Sequence, residues 1–190
     1  MPNINTANGF TLVGHMGGGV PARMNEYRLA SGTANAIFTG DPVTLLNTGL
    51  LTRATGGDVD LVGIFAGVRW IDVDGTPRFS RHWPAAQVTQ AAGNAFALVV
   101  DDPNAVFEVM CKTGTAFATT HVGNNADFEF VAGDTLSGSS RSILDISAAA
   151  AATANFRILG LAPKPGNDFG DMARVRVYVN EHKYRSAAGI

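Results

Sequence analysis

The side chains best suited to chemistry are two carboxylate pairs, four histidines and one cysteine. Asp101-Asp102 and Asp72/Asp74 each stand in a turn-like stretch. Paired acids can cleave glycosidic bonds when ~5–9 Å apart across a cleft. Turn acids more commonly hold their own backbone. Asp72-Val73-Asp74-Gly75 faintly resembles a calcium loop, but the later acidic ligands and the closing Glu are missing. His15, His82, His121 and His182 show no His-x-x-x-His spacing, and one cysteine permits no Cys-x-x-Cys. No metal or cofactor is therefore expected. Cys111 ends a strand-like run, and adjacent strand residues face opposite ways, so Lys112 cannot sit against its sulfur. A buried, inert thiol is expected.

Other motifs fail on specific residues. Gly17-Gly18-Gly19 is followed by Val20-Pro21, not by the Lys-Ser/Thr of a phosphate loop. Gly138-Ser139-Ser140 lacks the Gly-x-Ser-x-Gly frame of a nucleophile elbow. Arg69, Arg78 and Arg81 with Trp70 and Trp83 could form an Arg/aromatic patch, able to stack bases or to dock on protein. The net charge of -2 favours protein. No catalytic residue is expected. His82, between Arg81 and Trp83, belongs to a packing or contact cluster, and His182 is expected to be exposed or at an interface.

The elements that position these residues read as β. Turn signals such as Gly40-Asp41-Pro42, Asn47-Thr48-Gly49, Asp74-Gly75, Gly93-Asn94 and Asp102-Pro103-Asn104 recur every 8 to 12 residues or so, as in an all-β sandwich or barrel. Between them lie short apolar runs: Val43–Leu46, Val59–Trp70, Ala95–Val100, Val106–Cys111, Phe156–Leu161 and Ala173–Asn180. In the last, Val175, Val177 and Val179 alternate with Arg174, Arg176 and Tyr178, the period of a half-buried strand. Gly63 and Gly67 interrupt their run and predict a bulge, a bend or a close backbone approach. Ser31–Phe38 and Ser139–Leu144 could form short helical turns. The Ala-rich stretch Ser147–Ala154 favours helix by composition but is below the ~12–15 residues of a self-standing helix, and is expected as a small-residue surface loop with helical character left open.

The expected fold is all-β, or mainly β with one or two short helices: a compact barrel or sandwich with an extended N-terminal arm. The arm covers residues 1–35. Residues 36–190 form the β-rich domain, with two subdomains divided near 112–125 left open by the Thr/Ala/Gly/Asn-rich composition there.

Only 16% of the 190 residues are charged, and 22 are glycine. Soluble proteins average ~25% charged residues. Either much of the surface lies against other protein, or the domain is simply β-rich with many turns. Hydrophobic residues at 46% exclude a disordered chain. No stretch approaches the ~20 apolar residues of a membrane helix, so no membrane partner is expected. The N-terminus has no basic or apolar leader region, and synthesis in a reducing cytoplasm is expected.

As an ordered ensemble, several stretches resemble the cement, or head decoration, proteins of tailed bacteriophages, especially the short-tailed marine and cyanobacterial type. They include Asn8-Gly9-Phe10-Thr11-Leu12-Val13-Gly14-His15, Ala36-Ile37-Phe38-Thr39-Gly40-Asp41-Pro42-Val43, and Leu61-Val62-Gly63-Ile64-Phe65-Ala66-Gly67. Phe79-Ser80-Arg81-His82-Trp83-Pro84, Asp101-Asp102-Pro103-Asn104, Phe156-Arg157-Ile158-Leu159-Gly160-Leu161 and Val177-Tyr178-Val179-Asn180-Glu181-His182 follow in order. The resemblance implies a non-enzymatic virion protein on the outer surface of the capsid. Its partners would be the major capsid protein and itself, as a homotrimer in preference to a homodimer, with no direct nucleic-acid contact. The residues expected at protein interfaces are Phe10, His15, Arg23, Tyr27, Arg81, His82, Trp83 and His182. The arm would lie extended on capsid or a sister subunit. The alternative is a virion β domain that binds host polysaccharide through exposed Trp70 and Trp83.

Overall fold

The computed structural model describes residues 3–18, 23–91, 95–149 and 153–185. Among these the chain is almost entirely β, as expected. Its strands are β1 (Thr11–His15), β2 (Met24–Leu29), β3 (Ile37–Phe38), β4 (Pro42–Leu45), β5 (Leu51–Arg53), β6 (Gly63–Ile71) and β7 (Pro77–Ser80). They continue as β8 (His82–Trp83), β9 (Ala95–Val100), β10 (Ala105–Met110), β11 (Asn125–Glu129), β12 (Ile143–Asp145), β13 (Phe156–Leu161) and β14 (Arg174–Val179). Among the described residues two single-turn 3₁₀ segments, Thr119–His121 and Lys183–Arg185, are the helical elements. No helix among the described residues is long and apolar enough to cross a membrane.

The strands form two units. An open sheet has the order β1-β10-β14-β13-β11-β12. The second sheet runs β4-β5-β2-β9-β6-β7, and β4 also pairs with β6. That extra pairing closes β4-β5-β2-β9-β6 into a five-stranded barrel and leaves β7 as a flap on β6. Closure requires one parallel contact, Leu29 of β2 beside Leu51 of β5. β3 and β8 form a separate two-stranded ribbon.

Alternation along the strands fills two cores. Val175, Val177 and Val179 are buried with Phe107, Phe128, Phe156 and Ile158 against the open sheet. Leu29, Leu51, Phe65, Val68, Trp70, Trp83 and Val99 fill the barrel. The two glycines of β6 act as their spacing suggests. A Cβ on Gly63 would lie 2.1 Å from the Val100 carbonyl oxygen, so β6 and β9 touch backbone to backbone there. The β6–β9 register shifts between Phe65 and Gly67, which is a bulge.

A buried carboxylate ties the units together. Asp41, in the turn between β3 and β4, accepts the Phe38 N–H at 2.8 Å. It also accepts the hydroxyls of Ser140 (2.5 Å) and Ser142 (2.9 Å), which precede β12. Burial pushes its pKa up, against the pull of these donors and of the Arg53 charge.

Several local expectations differ from what the chain does. Residues 1–35 are not an extended arm where they are described. Thr11–His15 is an edge strand of the open sheet on β10, and Met24–Leu29 pairs residue for residue with β9 inside the barrel wall. Before β1, Asn3 is pinned to the Asp168 and Asp171 carbonyls and Phe10 is buried. The reason is that strand partners lie far away in sequence, so a segment with little periodicity of its own still completes two sheets. Residues 112–125 do not divide the chain. They connect β10 to β11 within one sheet and carry Phe117 into its core. The chain passes from the barrel to the open sheet at 101–104. The helical turns expected at Ser31–Phe38 and Ser139–Leu144 are strands β3 and β12 at their C-terminal ends, because Ile37, Phe38 and Leu144 are drawn into the cores. Of the Ala-rich loop, 147–149 form a turn, and 150–152 lie outside the described residues, as does the Gly93-Asn94 turn.

Candidate functional site at the Asp101–Asp102 corner

A polar cluster lies where the chain passes from the barrel to the open sheet. Asp101-Asp102-Pro103-Asn104 joins β9 to β10, and the turn is held locally. The Asn104 N–H donates to Asp102 Oδ1 at 2.8 Å and the Ala105 N–H to the Asp102 carbonyl at 3.0 Å. Side chains from three other segments converge on it. β2 presents Asn25 and Tyr27 on one face, two residues apart, as strand alternation requires. β1 supplies His15, and the C-terminal 3₁₀ segment supplies Tyr184. An open cleft of about 880 Å³ lies over them, with Arg23 and Glu26 at its rim.

The two carboxylates are occupied differently. Asp101 is buried and receives Asn25 Nδ2 at 3.0 and 2.9 Å and the Tyr27 hydroxyl at 2.6 Å. The Tyr27 and Tyr184 hydroxyls meet at 2.5 Å. Burial, then the Asp101 and Tyr184 contacts, raises the Tyr27 pKa far above its usual range, so the phenol stays protonated and keeps donating. Asp102 Oδ2 lies 3.1 Å from His15 Nε2. The Gly17 N–H donates to His15 Nδ1 at 3.1 Å, so Nε2 carries the proton and donates to Asp102. His182 lies buried beneath the corner. Its Nδ1 accepts the Tyr184 N–H at 3.2 Å, and its Nε2 closes no hydrogen bond among the described residues. Burial, aided by Arg185, pushes its pKa below the usual histidine range, against the pull of Asp101 and Asp102.

A carboxylate that already accepts an amide and a phenol has few free lone pairs to take a proton from a substrate. This corner therefore fits a clamp that holds β1, β2, the β9–β10 turn and the C-terminal turn in one arrangement.

Four of the eight residues expected at interfaces gather here: His15, Arg23, Tyr27 and His182. The others lie elsewhere. Arg81 is exposed between β7 and β8, and His82 is half-buried with its ring stacked 5.5 Å from Phe38. Three of the eight are corrected by burial. Phe10 stacks on Phe156 at 4.3 Å inside the open-sheet core. Trp83 is fully buried, donates from Nε1 to Thr33 Oγ1 at 3.0 Å and packs edge-on against Trp70 at 5.6 Å. His182, expected to be exposed or at an interface beside Glu181 and Lys183, is buried because the backbone on either side of it pairs with Leu61. Sequence reading missed Asn25 and Tyr184. The alternation Asn25, Tyr27, Leu29 was a usable signal for the first. Nothing local marked the second.

The remaining candidates do no joint work. Asp72 and Asp74 bond the Val73 and Thr76 N–H groups of their own hairpin turn, with Arg78 nearby at 3.4 and 4.0 Å. His121 accepts the Ala118 N–H and stacks on Phe117, within the open-sheet unit. Cys111 is buried, and burial pushes its thiol up to about 12. Among the described residues, no group of His, Cys, Asp or Glu is arranged to hold a metal ion. Compared with family models, curated proteins and solved structures, the chain matches none of them.

Proposed function

We propose that this chain is a non-enzymatic structural protein of a virion. It binds the outer capsid surface and stabilises contacts between major capsid protein subunits. The observation that carries the reading is an apolar end on the open-sheet unit. Phe169 is 50% exposed and stacks on Phe117 at 5.6 Å, and Phe117 in turn stacks on His121. Exposed Val122 follows His121. Exposed Ile4 is brought to the same end, because the neighbouring Asn3 bonds the Asp168 and Asp171 carbonyls and the Asp168 N–H. Aromatic rings held rigidly at a surface lose little entropy on docking. The low overall charge keeps the cost of desolvating such a face small. The ordered resemblance to head decoration proteins supplies the partner. The polysaccharide alternative rested on exposed Trp70 and Trp83, and both indoles are buried.

The test is to add purified protein to undecorated, expanded heads of the encoding phage and reconstruct them. Added density at symmetry-related positions is expected, with weaker occupancy for Phe169→Asp. No added density with the unaltered protein overturns the proposal.

A further inference from the structure

The barrel wall carries a row of residues that its strand register creates and that no stretch of sequence displays. Arg28 of β2 pairs with Phe96 of β9, Phe96 pairs with Arg69 of β6, and Arg69 pairs with Phe79 of β7. Cross-strand partners share a face, so the outer surface of four consecutive strands reads Arg-Phe-Arg-Phe. At ~4.8 Å per strand the row spans about 14 Å. Its middle is satisfied within the chain. The Arg69 guanidinium lies 4.4 Å from the Phe96 ring and makes a two-pronged bond to Glu26, both contacts at 2.7 Å. Its ends are not. Phe79 is 78% exposed on an edge strand, and Arg28 is exposed with its guanidinium 5.9 Å from the Phe96 ring centre.

We infer that this four-strand face is the contact surface for a second copy of the chain, related by a twofold axis that runs along the strands between β9 and β6. The sequence of the row dictates the axis. Such an axis lays the row on itself in reverse, so Arg28 meets the partner's Phe79 and Phe96 meets the partner's Arg69. Each Arg28 guanidinium then faces the partner's exposed Phe79 ring, the favourable cation–π arrangement, while Arg69 keeps its own Phe96 and Glu26. A twofold axis perpendicular to the strands would lay Arg28 on Arg28 and leave the aromatic ends facing each other. An isologous contact needs a self-complementary patch, and the alternation meets that condition in one orientation only. Exposed Ile71, two residues along β6 from Arg69, adds apolar area beside the row. Aligned packing of two such sheet faces is a standard geometry. The face is small beside the ~800 Å² per partner of an ordinary interface, so weak, reversible association is expected. The inference concerns free protein in solution and does not depend on the capsid reading.

The test is sedimentation equilibrium of the full chain over a concentration series from micromolar to millimolar, with thermal melts as a check that each variant folds. The unaltered chain is expected to rise toward twice the monomer mass. Phe79→Arg sets like charge against the partner's Arg28 and should weaken association by roughly tenfold or more, since symmetry removes two ring–cation contacts at once. Arg28→Glu combined with Phe79→Arg should restore it, because the new charges pair across the axis. Phe79→Ser serves in place of Phe79→Arg if the latter melts early. A chain that stays monomeric throughout, an oligomer indifferent to Phe79→Arg, or a double variant that fails to recover each overturns the inference. So does a monomer whose row instead binds a single-stranded oligonucleotide in an anisotropy titration, which would assign the Arg/Phe face to stacked bases.

Discussion

Replacing Asp41 by alanine tests whether one buried carboxylate couples the barrel to the open sheet. The side chain is fully buried and accepts three donors: the Phe38 N–H and the hydroxyls of Ser140 and Ser142. Each buried donor left without a partner costs about 1–3 kcal/mol. The Phe38 N–H is fixed by the β3 backbone and bears that cost in full. The two hydroxyls can turn toward other acceptors and bear part of it. Against this, the variant no longer buries a carboxylate, a cost visible in the raised Asp41 pKa. The balance is a loss of about 3 kcal/mol. With a urea dependence of ~2 kcal/mol per molar for a domain of this size, the midpoint should fall by about 1.5 M. Asp41→Asn keeps an acceptor oxygen and should lose about half as much. The assay follows the same urea titration by tryptophan emission, which reports the barrel through Trp70 and Trp83, and by far-ultraviolet circular dichroism, which reports both units. In Asp41→Ala the two curves should separate. A loss below about 1 kcal/mol, with coincident curves, refutes the coupling.

Gly63→Ala should destabilise the chain by about 1–3 kcal/mol or prevent folding, since its Cβ would sit 2.1 Å from the Val100 oxygen and against the Val100–Asp101 backbone, which cannot swing aside as a side chain can; a near-neutral urea midpoint would count against the close β6–β9 approach. Cys111 should resist thiol reagents at mildly alkaline pH in the native state and react at once in denaturant, because burial pushes its thiol up to about 12; rapid native labelling contradicts this. His182 makes stability pH-dependent. Its folded pKa lies below the 6.5 of the free side chain, so the unfolded chain binds the extra proton. Its contribution is whole above pH 6.5 and is lost as pH falls from there through the folded pKa. His182→Gln should flatten that part of the stability profile, and an unchanged slope would assign it to other groups.

How much of this was legible in the sequence follows from the range of each interaction. Alternation in Val175, Val177 and Val179 marked β14 because side-chain direction along a strand is a local property. The same holds for β9 and β13, for the turn spacing that announced an all-β chain, and for the burial of Cys111. Gly63 and Gly67 marked a close approach and a bulge because few other residues tolerate either. Pairing is not local. The β4–β6 contact that closes the barrel joins residues whose own sequences say nothing of each other. The N-terminal segment looked like an arm because its partners, β10 and β9, lie far along the chain. Burial of Phe10, Trp83 and His182 was hidden for the same reason: their neighbours in sequence are polar, while their neighbours in space are core. The sequence by itself determined the strand content, the turns and the scarcity of charge on the surface. Only the tertiary structure decided that His15, Tyr27 and Asp101 would share a corner, and that Arg28, Phe96, Arg69 and Phe79 would line up in one row. Register sets both arrangements, and register is fixed by the closing of sheets and the filling of cores, which no short stretch of residues specifies.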